Sequence, residues 1–447
     1  MTPAAPVARR RISFRAVLSL KRLHQAATLL TLALPFLLLH SRALTEVAID
    51  SVAASFLIRS LVERRWHWLR QDWVIAGLLW WAWVIACSLL AAAAGEGGDV
   101  VQAALVLRFL LFVAALQVWV LGNGRERRWF LVSLSVATVY VGAQTLMQFA
   151  TGYNLYGVPR YGDGSLTGPF RGPRAGPTFV RMLFPPLLFA VGRLTVRHTA
   201  SSRVSAAALI LAAVAVIVLI GQRMPVLLTV LGLFVAALLM PRIRRLAIVA
   251  VLAGAALIGA SAVVSPPTFY RLVTKFSDQM EHFPHSHYGE ILGRALAIAE
   301  KNPWTGLGFN GFQAGCPEPQ YQHGWRWPTE PADDGGGAAM CVGHPHNHYL
   351  QALDDGGWPG LLLFCALLAT WLRRLARGVW TTPDPLRVGL LAAAVIQAWP
   401  IASTSPLISL PIGGWFFLLL GYGLALSSDD PDQHLAEGAA RCRADLA

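Results

Sequence analysis

Residues 204–240, VSAAALILAAVAVIVLIGQRMPVLLTVLGLFVAALLM, decide the fold. Two apolar runs, 204–220 and 225–240, are joined by the turn Gly221-Gln222-Arg223-Met224-Pro225. Arg223 is the one charged residue between Arg203 and Arg242. A helix needs roughly 20 mostly apolar residues to cross the hydrocarbon core of a bilayer. The stretch therefore reads as two membrane helices and a tight turn, with a guanidinium held at the membrane edge.

The pattern recurs in both directions. Ten further apolar runs fall at about 24–40, 44–58, 73–94, 100–121, 129–150, 178–194, 246–264, 358–371, 388–401 and 407–426. The run at 44–58 is weak, because it carries Glu46 and Asp50, and the run at 178–194 contains Arg181, Pro185 and Pro186. Over 447 residues the chain is 55% hydrophobic and 14% charged, where soluble domains carry about 25% charged residues. Its mean hydropathy is +0.51. The expected fold class is all-α, a polytopic transmembrane helical bundle of about 12 spans embedded in a lipid bilayer. A transmembrane barrel would need short alternating segments, which are absent.

The net charge of +13 would raise nucleic acid as a partner for a soluble protein. Here most of the basic residues lie in short loops between apolar runs, which is a topology signal, so no nucleic acid is expected. With the N-terminus in the cytoplasm, the loops carrying Arg64 and Arg65, Arg127 and Arg128, Arg197 and Arg203, Arg244 and Arg245, and Arg373 and Arg374 all fall inside. The acidic turn with Glu96 and Asp99 falls outside. The basic start (Arg9, Arg10, Arg11) leads into the first run without an obvious cleavage site, so that run is expected to serve as an uncleaved insertion signal. The expected organisation is nine spans in 1–264, a large extracytoplasmic loop at 265–357 before the tenth span, three more spans in 358–427, and a cytoplasmic tail at 428–447.

Three segments then lie outside: about 151–177, the turn at 221–225, and 265–357. Within the last, residues 289–300 show helical spacing, with Ile291, Leu292, Ala295, Leu296, Ile298 and Ala299 on one face and Glu290 and Arg294 on the other. A helix lying on the membrane or capping a cavity is expected there. Asn302-Pro303-Trp304-Thr305-Gly306-Leu307-Gly308 reads as the turn that ends it. Residues 327–337, rich in Pro, Asp and Gly, read as a mobile loop. Cys316 and Cys341 share this segment; a bridge between them and two separate thiols are both open, since spacing alone does not bring the Cα atoms together.

Gly343-His344-Pro345-His346-Asn347-His348-Tyr349 closes the segment. A neutral imidazole accepts a proton near pH 7 and is the usual base for activating a hydroxyl. Asn347 could orient a ring or hold a sugar hydroxyl. A zinc site is disfavoured, since the histidines are spaced two apart across a proline, with no Glu between them. Arg223 works against the positive-inside bias, and a guanidinium is a good bidentate partner for phosphate. The same reasoning selects Arg171 and Arg174 in 170–177, Arg294, and Arg42 just past the first run; the alternative for each is a solvated or snorkelling side chain. Arg108 and Arg181 lie inside apolar runs and could pair with Glu46 or Asp50. An arginine cluster and a histidine base together suit transfer of a sugar from a lipid-linked diphosphate to a hydroxyl. No Gly-rich nucleotide-binding motif is present.

These residues resemble the O-antigen ligase and polysaccharide polymerase family of bacterial membrane glycosyltransferases. His346-Asn347, then nine residues, then Gly357-x-x-Gly360 is similar to the ligase His-Asn pattern. Arg223-x-x-x-Leu227 resembles the family's arginine motif, and Asn302-Pro303 with Gly306-x-Gly308 its Asn-Pro turn. Gln222 departs from the Ser or Thr common before the arginine, and His344 and His348 are additional. The resemblance implies an inner-membrane enzyme that is metal-independent, needs no cofactor, and acts on the periplasmic face. The donor would be a glycan on undecaprenyl diphosphate. The acceptor would be the lipid A-core oligosaccharide for a ligase, or another glycan for a polymerase or protein O-oligosaccharyltransferase. By position, His346 would be the base, Arg223 a diphosphate ligand, and Arg294 the second arginine; Arg171, Arg174, Arg42, Asn347, His344 and His348 complete the candidate substrate-binding set. A transporter or flippase of lipid-linked sugars is the competing class, and it would not need the histidine.

Overall fold

The computed structural model describes residues 14–324, 337–401, 406–410 and 412–428. The N-terminal arginines at 9–11, most of the loop reading at 327–337 and nearly all of the expected tail at 428–447 lie outside the described residues. Among the described residues the chain is all helix, with no strand. Its principal helices are α1 (Phe14–His40), α2 (Arg42–Glu63), α3 (Asp72–Ala94), α4 (Val100–Val120), α5 (Gly124–Thr151), α6 (Ala175–Thr195) and α7 (Ala200–Ile220). There follow α8 (Arg223–Leu239), α9 (Arg244–Val264), α10 (His287–Lys301), α11 (His348–Ala376), α12 (Pro385–Ala398) and α13 (Gly413–Ser427).

Each apolar run becomes a helix, but the runs are unequal. Eight helices among the described residues are long and apolar enough to cross a membrane: α1, α3, α4, α5, α6, α7, the helix through α9, and α11. Three more, α8, α12 and α13, are apolar but shorter. The helix α2 falls in neither group, as its acidic residues foreshadow; Asp50 is used there in an ion pair with Arg108 of α4 at 3.2 Å.

Local chemistry sets the helix ends. Asn123, Thr199, Ser286 and Asn347 cap α5, α7, α10 and α11 by accepting backbone N–H bonds through their side chains, which satisfies donors that have no partner inside a helix. Gly95, Gly152 and Gly221 end α3, α5 and α7 in the left-handed conformation. Apolar side chains from the long helices merge into one core. Among the eight long apolar helices α6 is the most buried, with 83% of its apolar window inside the structure. At one end of the bundle Asp72 of α3 takes Arg373 and Arg374 of α11, at 2.6 and 2.5 Å. The opposite end carries the candidate site.

A second, smaller core forms beside that end. Ile291, Ala295 and Ile298 of α10 meet Leu307, Phe312, Cys316 and Tyr321. Cys316 and Cys341 are joined in a disulfide, with Cα atoms 5.7 Å apart, so the pairing left open by spacing is made. One sequence expectation changes here. Arg294, placed on the polar side of the helix, is 1% exposed. Arg294 lies three residues after Ile291 and four before Ile298, so it shares their face of the helix, and the wall of Phe312, Cys316, Tyr321 and Cys341 that covers that face buries it too.

Candidate functional site

The histidines sit where a helix begins. Asn347 is the cap of α11: its Oδ1 accepts from the backbone N–H groups of Tyr349 and Leu350 at 2.8 and 3.2 Å, and its Nδ2 donates to the Pro400 carbonyl at 2.9 Å. Those bonds make Asn347 a clamp on the backbone, a role different from that expected for it. His346, just before the cap, has φ +54°. A left-handed backbone costs a non-glycine residue roughly 1–2 kcal/mol, and such strain persists only where surrounding structure enforces it. The His344 and His346 rings lie 4.2 Å apart. All three histidines of the run are half-buried. His348, at the first turn of α11, borders a cavity of about 20 Å³ shared with Trp80, Gln351 and Asp355.

The support beneath them comes from the Asn-Pro turn. Helix α11 is broken at Gly357, whose φ of 63° and ψ of −166° belong to a region open essentially to glycine. The carbonyl of Pro303 accepts from Trp358 N–H at 2.8 Å, and Leu307 N–H donates to the Asp354 carbonyl at 2.8 Å. Gly311 N–H donates to Asp355 Oδ1 at 2.9 Å. A Cβ on Gly306 would lie 2.3 Å from the Asp354 carbonyl oxygen, and one on Gly357 2.4 Å from the Trp304 carbonyl carbon. The two glycine motifs thus dock on each other backbone to backbone. Together they fix the half-helix 348–356 that the histidines begin. Asp354 and Asp355, both buried, are members of this joint that sequence reasoning missed.

Arg223 is the first residue of α8 and is half-buried. Its guanidinium lies 5.6 Å from the centre of the Phe276 ring and interacts electrostatically with Tyr288. Tyr288, near the start of α10, stands edge to face with His346 at 5.4 Å. Arg271 lies within electrostatic range of the same phenol. It donates through Nε to the Gly221 carbonyl at 2.8 Å and is ion-paired with Asp163. Burial draws the Arg271 guanidinium below its ordinary pKa, and Tyr288 acts against that shift. Tyr288 therefore joins the arginine turn to the histidines, and neither it nor Arg271 was foreseen. The argument that selected Arg223 applies equally to Arg271, an arginine in the expected outer segment 265–357; Tyr288 carries no sequence signal.

The remaining candidates divide. Arg174 precedes the first turn of α6 and Arg171 lies three residues earlier; both are exposed. Gln222 ties their loop to the Arg223 turn by donating to the Pro173 carbonyl at 2.8 Å, which gives the unusual glutamine a job. Arg294 faces the disulfide, with Nη1 3.0 Å from Cys341 Sγ and 3.7 Å from Cys316 Sγ, five residues before His346. Arg42 is used in a surface pair with Glu46 at 3.0 Å, and no contact among the described residues joins it to the cluster. Arg108 takes Asp50, as one of its two readings had it. Arg181 takes neither Asp50 nor Glu46; it lies beside His348. Among the described residues no group of three or more His, Cys, Asp or Glu side chains is arranged to hold a metal ion.

This end of the molecule brings together cations, a strained imidazole and a phenol, an arrangement able to bind an anion next to a base. Residues 207–365 match a family model described as O-Antigen ligase. A search of curated proteins returned no match to the chain. The matched segment contains Arg223, Arg271, Tyr288, Arg294, the disulfide, the three histidines and both glycine motifs. Through it, a little over a third of the chain, residues 207–365 of 447, is similar to the O-antigen ligase family.

Proposed function

We propose that this protein is an O-antigen ligase of the bacterial inner membrane, moving a glycan from undecaprenyl diphosphate to the lipid A-core oligosaccharide on the periplasmic face. The observation that carries the reading is the placement of His346. It has a left-handed backbone next to the Asn347 clamp, and its ring meets Tyr288, which lies within electrostatic range of Arg223 and Arg271. In the reaction His346 takes the proton from an acceptor hydroxyl as that oxygen bonds to the anomeric carbon of the donor sugar. The bond from that carbon to the diphosphate oxygen breaks, and its electron pair leaves with the diphosphate. Arg223 and Arg271 stabilise the charge that develops there, which is worth most in a water-poor site. Arg294 acts from behind the disulfide on the segment that carries the base. Arg171 and Arg174 lie at the rim, where an incoming anionic glycan would pass. Neither a nucleotide nor a metal ion has a part in these steps.

The test is the lipopolysaccharide banding pattern of a strain lacking the gene, complemented with wild type, His346→Ala or Arg223→Ala. Wild type should restore the long-chain ladder, and each variant should leave full-length glycan on the carrier lipid. A single-repeat band in the deletion strain would assign a polymerase. A ladder restored in full by His346→Ala would exclude His346 as the base and reopen transport of lipid-linked sugars.

A further inference from the structure

Arg181 sits six residues past the start of α6, about 9 Å along the helix from its first residue. It is 5% exposed, inside the most buried of the eight long apolar helices. Its Nη1 donates to the Pro177 carbonyl at 2.6 Å. A guanidinium has five N–H donors, and among the described residues no carboxylate lies within ion-pair distance of this one. The other arginines in comparable positions are paired: Arg108 with Asp50, Arg374 with Asp72, Arg59 with Glu63. What Arg181 has instead is His348, a group that is neutral or positive. A buried cation without an anion is costly, and inside a membrane it marks a binding function by default.

Its position relative to the site is fixed from both sides. The segment entering α6 is tied to the Arg223 turn through Gln222 and Pro173, and a Cβ on Gly176 would lie 2.8 Å from the Pro225 ring, so the two helix starts touch. His348 lies two residues from His346. Arg181 is thus below the surface cluster, on the side toward the bilayer interior.

We infer that Arg181 binds the phosphate nearest the lipid in a polyprenyl diphosphate that enters from the membrane. This deepens, and rests on, the donor chemistry proposed above. An anion supplies the missing counter-charge, and a lipid-borne one arrives at the depth where Arg181 waits.

The experiment uses the purified full-length protein as wild type, Arg181→Met and Arg181→Lys, with undecaprenyl diphosphate and inorganic diphosphate as separate probes. Binding is read by thermal shift, and donor and acceptor KM by steady-state transfer. Arg181→Met should weaken undecaprenyl diphosphate binding at least tenfold and raise donor KM with acceptor KM unchanged. Without ligand it should melt no lower than wild type, because an uncompensated buried charge is gone. Arg181→Lys should recover part of the binding. Inorganic diphosphate should bind wild type far more weakly than the lipid form; equal binding of the two would overturn entry from the membrane. If wild type binds undecaprenyl diphosphate and Arg181→Met binds it equally, this inference fails and the proposed reaction stands. If wild type binds no polyprenyl diphosphate, both fail. Should Arg181→Met not fold, an unchanged donor KM in Arg181→Lys overturns the inference.

Discussion

Reducing the Cys316–Cys341 bridge opens a ring whose ends are 25 residues apart. Chain-entropy arguments put the loss of that constraint at about 3.5 kcal/mol, or roughly a 300-fold shift toward disordered forms of the ring, at 1.4 kcal/mol per factor of ten. The ring closes over Arg294 and runs into His344 and His346, so disorder there reaches the base directly. It also loosens the small core of Ile291, Ile298, Leu307, Phe312 and Tyr321. Purified protein treated with a phosphine reductant should lose glycosyl transfer at least tenfold. Amide hydrogen exchange in 287–301 and 306–316 should accelerate while α3 and α6 stay protected. The Cys316→Ala/Cys341→Ala double variant should be weakly active with or without reductant, which excludes effects through the other cysteines, Cys87, Cys365 and Cys442. Full activity and unchanged exchange in protein shown by mass spectrometry to be reduced would refute the reasoning.

Other perturbations follow from the same geometry. Gly357→Ala places a Cβ 2.4 Å from the Trp304 carbonyl carbon in a backbone region closed to alanine. Steric and backbone costs of roughly 2–5 kcal/mol together should appear as lost expression or a clear fall in Tm. Asn347→Ala removes a helix cap worth about 1–2 kcal/mol and the tie to Pro400; transfer should fall several-fold, and Asn347→Ser should recover more activity than Asn347→Ala. Tyr288→Ala should lower kcat and raise donor KM together, since the ring meets His346 and its phenol lies within electrostatic range of Arg223 and Arg271; Tyr288→Phe, which keeps the edge contact, should restore kcat more than KM.

Much of the bundle was legible because membrane helices announce themselves by length and apolarity alone. The eight long apolar helices and the shorter α8, α12 and α13 stand out whatever they pack against. Arg223 and His346 were legible for a related reason: a polar group in an apolar chain needs an explanation. The contacts that make a site of them were not. Tyr288 meets Arg223 across sixty-five positions of sequence, and no periodicity encodes such a pairing. Arg294 misled because its charge argued for the solvent side, although its spacing from Ile291 and Ile298 puts it on the face that Phe312, Cys316 and Tyr321 cover. The role of Gly306 and Gly357 as a mutual joint was hidden as well, since a turn motif shows its own shape and not its partner.

Four helices begin at the site: α6 after Arg174, α8 at Arg223, α10 just before Tyr288, and α11 just after Asn347. Each start carries a partial positive charge of roughly half a unit from its aligned peptide dipoles. The bundle thereby turns its positive poles toward one place. That field belongs to the backbone, so it neither titrates nor disappears with any single substitution. An anion held there keeps part of its attraction when an arginine is removed, and throughout the pH range in which the histidines change charge. The preference of this end of the molecule for negative charge is therefore a property of how the chain turns, laid down before any side chain is chosen.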